Sequence, residues 1–163
     1  MTATPSALDP PDPACRIRPV RLADSAILHS VCFVDWERRR VADLVARARQ
    51  IALQGRGFGV VALDDDDRPF AYGQLTHWTR SAEISDLIVC AEQRGRGTGS
   101  AIIRYLVRAA RESHMQSVEI GVELNNRRAL ALYRRLGFAP SRVLTVPDGT
   151  VTTRVQYLTI RLR

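Results

Sequence analysis

Hydrophobic and polar positions along the chain fall into two recurring periods. Residues 15–20 (Cys-Arg-Ile-Arg-Pro-Val) alternate and predict a first strand ending near Pro19. Leu22, Ile27, Leu28, Val31 and Cys32 then share one helical face, with Ala23-Asp24-Ser25 offering an N-cap. A second helix is predicted over 35–53, with Val41, Leu44, Val45, Ala48 and Ala52 on its apolar stripe. Gly55 and Gly57 break it. Strands are predicted at 58–63 and 70–78, joined by Asp64-Asp65-Asp66-Asp67-Arg68-Pro69, which reads as a solvated hairpin turn. The apolar run at 84–90 predicts another strand, and after a glycine-rich stretch Ile102, Ile103, Leu106, Val107 and Ala110 recur at helical spacing to about His114. Residues 117–124 alternate again. Asn125-Asn126 caps a further helix carrying Ala129, Leu130, Leu132, Tyr133 and Leu136, which Gly137 ends. A closing hairpin is predicted from 142–146 and 151–162, around Pro147-Asp148-Gly149-Thr150.

The order β-α-α-β-β-β-α-β-α-β-β predicts a single α/β domain over 15–163: a mixed central sheet of about seven strands flanked by about four helices. Only the two strands on either side of the helix at 99–114 need be parallel, because a helical crossover joins them. Residues 1–14 have no periodicity and four prolines, and read as a disordered leader.

The stretch Arg94-Gly95-Arg96-Gly97-Thr98-Gly99 carries the chemistry. Three glycines between a strand and a helix start leave several backbone N–H groups unpaired, and the positive end of the helix dipole adds to them. Such a point binds phosphate. A dinucleotide fingerprint would need glycine where Ile102 stands, and a P-loop would need a lysine that the loop lacks.

Composition narrows the class. At 163 residues, 45% hydrophobic and 25% charged, the chain suits one globular domain. No apolar run approaches the ~18 residues that span a bilayer, so no membrane partner is expected. The N-terminus lacks a secretory pattern, so a cytoplasmic location is expected. Cys15, Cys32 and Cys90 form no CxxC pair and read as reduced thiols, and the scattered His29, His77 and His114 give no metal site. The net charge of +7 comes from arginines spread over helix faces, which reads as solvating charge plus attraction for a polyanionic ligand rather than nucleic-acid binding.

The spacing Arg94-x-x-Gly97-x-Gly99, within Leu87-x-Val89-x-x-Glu92-x-Arg94-Gly95-x-Gly97-x-Gly99, resembles the acetyl-CoA motif of the GNAT superfamily of N-acetyltransferases. Ala91 departs from it, standing where proline is common. A second block, Asn126-x-x-Ala129-x-x-Leu132-Tyr133-x-x-x-Gly137-Phe138, resembles that family's other conserved block, and the resemblance covers roughly 16–162. It implies an acetyl-CoA-dependent N-acetyltransferase that moves an acetyl group to a primary amine by direct attack on the thioester. Backbone groups of Leu87 and Val89 would hold the pantetheine arm. Those of Arg94, Gly95, Arg96, Gly97, Thr98, Gly99 and Ser100 would hold the pyrophosphate, and Asn126 the cofactor arm or a bound water. Tyr133 would be the general acid toward the departing thiolate and Glu83 the first choice of general base, the alternative being no side-chain base at all. Simple alternation sets Asp86 on the opposite face of its strand. Glu119 and Glu123 share a face with Gly121, which stands where other members carry a glutamate. The resemblance further implies an amine-bearing small molecule or protein as acceptor, and a homodimer as a common assembly. The segments that shape the acceptor pocket, about 22–57, 76–84 and 139–152, carry no acceptor signature. A non-catalytic acyl-CoA sensor of the same fold is the alternative.

Overall fold

In the computed structural model, which describes residues 15–163, the long apolar runs become the middle of one sheet. The leader predicted at 1–14 lies outside the described residues. The elements are β1 (Arg16–Pro19), α1 (Ser25–Val31), α2 (Arg38–Leu53), β2 (Gly57–Leu63), β3 (Pro69–His77), β4 (Ser81–Val89), α3 (Thr98–Glu112), β5 (Ser117–Glu123), α4 (Arg127–Arg135), β6 (Ala139–Asp148) and β7 (Val151–Arg161). They build a mixed seven-stranded sheet in the order β1-β2-β3-β4-β5-β7-β6. Its one parallel pair is β4 with β5, bridged by α3, as the connection rule requires.

The central strands β2 and β3 are buried along almost their whole length because helices cover both faces. The helices α1 and α2 pack on one face, with Val41, Leu44, Val45 and Ala48 of the predicted stripe buried. On the other face α3 buries Ile102, Ile103, Leu106, Val107 and Ala110, each large side chain being worth about 1.5–3 kcal/mol. The approach of α3 depends on Gly73: a Cβ there would lie 2.7 Å from Ile102 Cγ2.

Several boundaries differ from the periodic reading. The second helix starts at Arg38 rather than 35, because Glu37 is extended (φ −64°, ψ 140°) and the Trp36 N–H bonds Phe33 O in a turn (3.1 Å). That turn stacks Phe33 on Trp36 (centroids 4.7 Å apart) and sets the Arg40 guanidinium 3.7 Å over the Trp36 ring. Asp24 does not cap α1 with its side chain. Its carboxylate turns back to accept two bonds from Arg18 (2.7 and 2.9 Å) and one from the Arg21 N–H (2.7 Å). The strand predicted at 84–90 begins at Ser81, since pairing with β5 runs from Ser81↔Ser117 to Ile84↔Ile120. The acidic run is a turn organised by Asp64, whose Oδ1 accepts the N–H groups of Asp66 and Arg68 (both 2.9 Å). All three cysteines are free, with Cys32 and Cys90 buried and Cys15 partly so. Burial, with Cys90 beside it, pushes the Cys32 thiol up to about 12.

The feature that alternation misses is a bulge in β4. Ser85 pairs with Gln74 and Ile88 with Tyr72, so Asp86 and Leu87 together oppose Gly73. Asp86 takes up the extra residue at φ 54°, a conformation rare for a residue with a Cβ. Side-chain parity flips across it: Glu83 and Ser85 share their face with Ile88, and Val89 lies on the other.

Candidate active site

Two breaks in the regular structure create one cleft. The first is the end of β4–β5 pairing: no partners follow Ile84↔Ile120, although β4 continues to Val89 and β5 to Glu123. The Cys90 N–H bonds Phe70 O on β3 (2.9 Å). Strand alternation therefore turns the backbone groups of Val89 and Leu87 toward the unpaired edge. A free strand edge of this kind accepts an extended ligand through its amides.

The second break is the loop into α3. Gly95 and Gly97 have φ of 77° and 84°, the left-handed region that glycine adopts without strain. Gly97 is the N-cap of α3 and has no side chain with which to cap it. The N–H groups of Gly95, Arg96, Gly97, Thr98, Gly99 and Ser100 donate no hydrogen bond within the described residues. Unpaired donors at a helix N-terminus form an anion site.

Loop and strand edge open onto one cavity of about 710 Å³. Of the residues expected to bind the cofactor, Leu87, Val89, Arg94, Gly95, Gly97, Thr98, Gly99, Ser100 and Asn126 all line it, while Arg96 is exposed beside it. The Arg94 side chain turns back, donating from Nε to Val89 O (3.0 Å), so it ties the loop to the end of β4. The Asn126 Oδ1 accepts the Ala129 N–H (3.1 Å) and caps α4, which fixes that helix beside the loop. The sequence reading missed Arg128 and Arg135, which line the cavity from α4 at i, i+7 spacing and bring cationic charge toward the loop. That spacing was the available signal.

Tyr133 lies on α4 next to Leu132, which lines the cavity; Tyr133 is 7% exposed and its ring centroid is 6.4 Å from that of Phe138. A Schellman end holds this helix, with Phe138 N–H bonding Tyr133 O and Gly137 N–H bonding Arg134 O (both 3.0 Å). The phenol has no hydrogen-bond partner among the described residues, yet its oxygen is not among the fully enclosed, unpartnered polar atoms. It therefore keeps an opening to the outside. Burial pushes its pKa up to about 12, so it carries its proton throughout the neutral range.

Glu83 does not line the cavity. It faces Thr76 across the strands and accepts a bond from Trp78 Nε1 at 3.3 Å. Glu119 is held by Arg142 through both carboxylate oxygens (2.7 and 3.0 Å), and Glu123 is exposed at the end of β5. Asp86 sits at the bulge, where the strands have parted. Although its side chain meets solvent, the surrounding protein raises its carboxyl above the usual carboxylate range; a Ser85 bond and the charges of Arg47 and Arg40 offset part of that rise. Its charge in turn acts on the Tyr72 phenol, placing Asp86 toward the α1–α2 face rather than opposite Glu83.

A mixed sheet split beside a glycine loop at a helix N-terminus thus sets a row of unpaired N–H donors next to a free strand edge. The chain matches the Acetyltransferase (GNAT) family over residues 25–138 and belongs to it. It is 39% identical over 61 residues to N-alpha-acetyltransferase MAK3 of Arabidopsis thaliana, covering 37% of this chain and 32% of that protein. It is 33% identical over 84 residues to streptothricin acetyltransferase of Streptomyces lavendulae, covering 52% and 44%. The chain thus spans less than half the length of these curated relatives. Its fold is that of yncA from Salmonella typhimurium, solved with its cofactor acetyl-CoA: TM-score 0.75 and 18% identity over 92% of this chain and 95% of that one.

Proposed function

We propose that the protein is an acetyl-CoA-dependent N-acetyltransferase acting on a primary amine. The observation that carries this reading is the row of unpaired N–H groups from Gly95 to Ser100, continuous with the free β4 edge along one cavity. The loop matches a pyrophosphate in charge and donor number, and the β4 edge at Leu87 and Val89 matches a chain of amides such as a pantetheine arm. The acetyl-CoA complex of yncA supports that assignment of the ligand. Streptothricin acetyltransferase and the N-alpha-acetyltransferase support an amine acceptor, in a small molecule or a protein.

Acetyl-CoA supplies the activated acetyl group. The chain holds its phosphates on the loop and its arm along β4, and supplies the proton traffic. Tyr133, protonated at neutral pH, donates to the departing sulfur. Glu83 receives a proton from the acceptor ammonium through ordered water, which frees the nitrogen lone pair for attack on the thioester. As the N–C bond forms and the C–S bond breaks, the second nitrogen proton passes to solvent. The net products are an amide, free CoA and one proton.

The test is a panel of primary amines read by free CoA release. Acetyl-CoA-dependent release above hydrolysis, with the acetylated amine found by mass, is the expected result. Binding of acetyl-CoA without turnover of any amine would instead identify a sensor of the same fold.

A further inference from the structure

The surface over the β4 bulge holds an arrangement that neither the cofactor nor the proposed proton donor uses. Asp86 is exposed there, fixed at φ 54°. A residue held in a sparsely populated conformation beside a candidate reaction centre is a sign of use. Beneath it, Tyr72 Oη donates to Gln74 Oε1 (2.9 Å) and Gln74 Nε2 to Thr76 Oγ1 (3.3 Å), which satisfies the strand's own polar groups and leaves Asp86 free of them.

Across from the bulge, Arg40 and Arg47 stand on one face of α2, two turns apart. Arg40 lies over Trp36, which packs on Phe33 and through it on Tyr72, the partner of Ile88 beside the bulge (centroids 4.7 and 6.2 Å). Both arginines act on the Asp86 charge. The Arg40 guanidinium, 3.7 Å over the Trp36 ring, makes no hydrogen bond within the described residues, which leaves its N–H groups available. Arg47 is exposed and makes no hydrogen bond within the described residues. Two guanidinium groups near the Asp86 carboxylate leave cationic donors that one carboxylate does not use up. With cationic and anionic groups side by side, the surface suits a ligand carrying both signs.

We propose that the acceptor site lies over this bulge and takes a small amine that also bears a carboxylate, the amino-acid class: Asp86 holds the ammonium, and Arg40 with Arg47 holds the carboxylate. The inference rests on the acetyltransferase reading and names its acceptor. Asp86 sits where β4 and β5 have separated, so an ammonium bound there lies beside the free strand edge along which the acetyl donor is proposed to run.

The experiment compares CoA release with free amino acids, the same amino acids as primary amides, and linear polyamines. The amides keep the amine and lose the carboxylate. A charge-assisted bond lost with the carboxylate corresponds to roughly tenfold, so kcat/KM should be about tenfold or more higher for the acids than for the amides. Arg40→Gln with Arg47→Gln should bring that ratio toward one, chiefly through KM, whereas Arg38→Gln, on another face of α2, should leave it unchanged. These arginines are exposed, so the variants are expected to fold. Equal or better use of amides or polyamines, no turnover of any free amino acid, or a ratio that survives the double substitution would overturn the proposal. Acetyl-CoA titrated without acceptor separates the two claims. Failure to bind it brings down the acetyltransferase reading itself, whereas binding with turnover confined to other amines brings down only the acceptor assignment.

Discussion

At the scale of single residues, Tyr133 and Asp24 show how burial and partners set opposite titration behaviour. Burial alone raises the Tyr133 phenol to about 12, so its acid form persists across the assay range. Tyr133→Phe should lower kcat by about 10²-fold or more with acetyl-CoA affinity unchanged. Wild-type activity should show no alkaline loss due to Tyr133 up to about pH 10, a limit that follows from the raised pKa. A wild-type alkaline limb near about pH 9 that the Tyr133→Phe substitution abolishes would contradict the raised pKa, whereas unimpaired turnover in Tyr133→Phe would remove the phenol from this role. Asp24 goes the other way: burial would raise its carboxyl, but bonds from Arg18 and the Arg21 N–H outweigh burial and hold it below the usual carboxylate range. A depressed acid stabilises the fold above its unfolded pKa of about 3.9, and that contribution is lost as pH falls through the folded pKa. Asp24→Asn should therefore cost about 1–3 kcal/mol at neutral pH. It should also flatten the acid side of the stability curve, as measured by urea unfolding at several pH values.

At the scale of elements, β4 and α4 carry the site. The α4 ends were legible in the sequence: Asn126 caps, Gly137 terminates at φ 97°, and Phe138 returns to the core at 2% exposure. Asn126→Ala should cost about 1 kcal/mol through the lost cap and weaken acetyl-CoA binding, since the same residue lines the cavity; calorimetry and thermal unfolding separate the two effects. The loop and its helix were equally legible, because glycine spacing and helical periodicity are local. The bulge was not. Its signature is two residues facing Gly73 on another strand, a pairing that no local pattern in 84–90 encodes, and alternation therefore put Asp86 and Val89 on the wrong faces. The first rungs of β4 and the start of β6 at Ala139 were missed for the same reason: cross-strand bonds define those ends, and Pro140 and the polar residues there have no strand period. Arg40 and Arg47 looked like solvating charge because the carboxylate whose charge they act on lies on β4. Gly73→Val tests the packing: with Ile102 2.7 Å from the new Cβ, the helix must shift, and destabilisation of about 1–3 kcal/mol is expected from overpacking alone.

At the scale of the whole molecule, the sheet holds the parts that position chemistry and leaves charge at its openings. The β4–β5 split lies beyond the last shared rung, where α3 and its loop face one side and α1–α2 the other. The donor and acceptor sites proposed above would thus lie on opposite faces of the same gap. The +7 net charge, concentrated in part on Arg94, Arg128 and Arg135 around the cavity, is expected to make binding of a polyanionic ligand weaken as salt rises. The central claim is that the loop from Gly95 to Ser100 seats the phosphates of acetyl-CoA. Its most direct test is calorimetric titration of acetyl-CoA into the wild-type protein and into Gly97→Val, where a β-branched side chain must occupy a left-handed position in front of unpaired N–H groups. Saturable one-to-one binding in the wild type, lost or weakened about 100-fold or more in the variant while the fold is retained, is the expected result. No binding at millimolar acetyl-CoA, or equal affinity in a folded Gly97→Val protein, would contradict it.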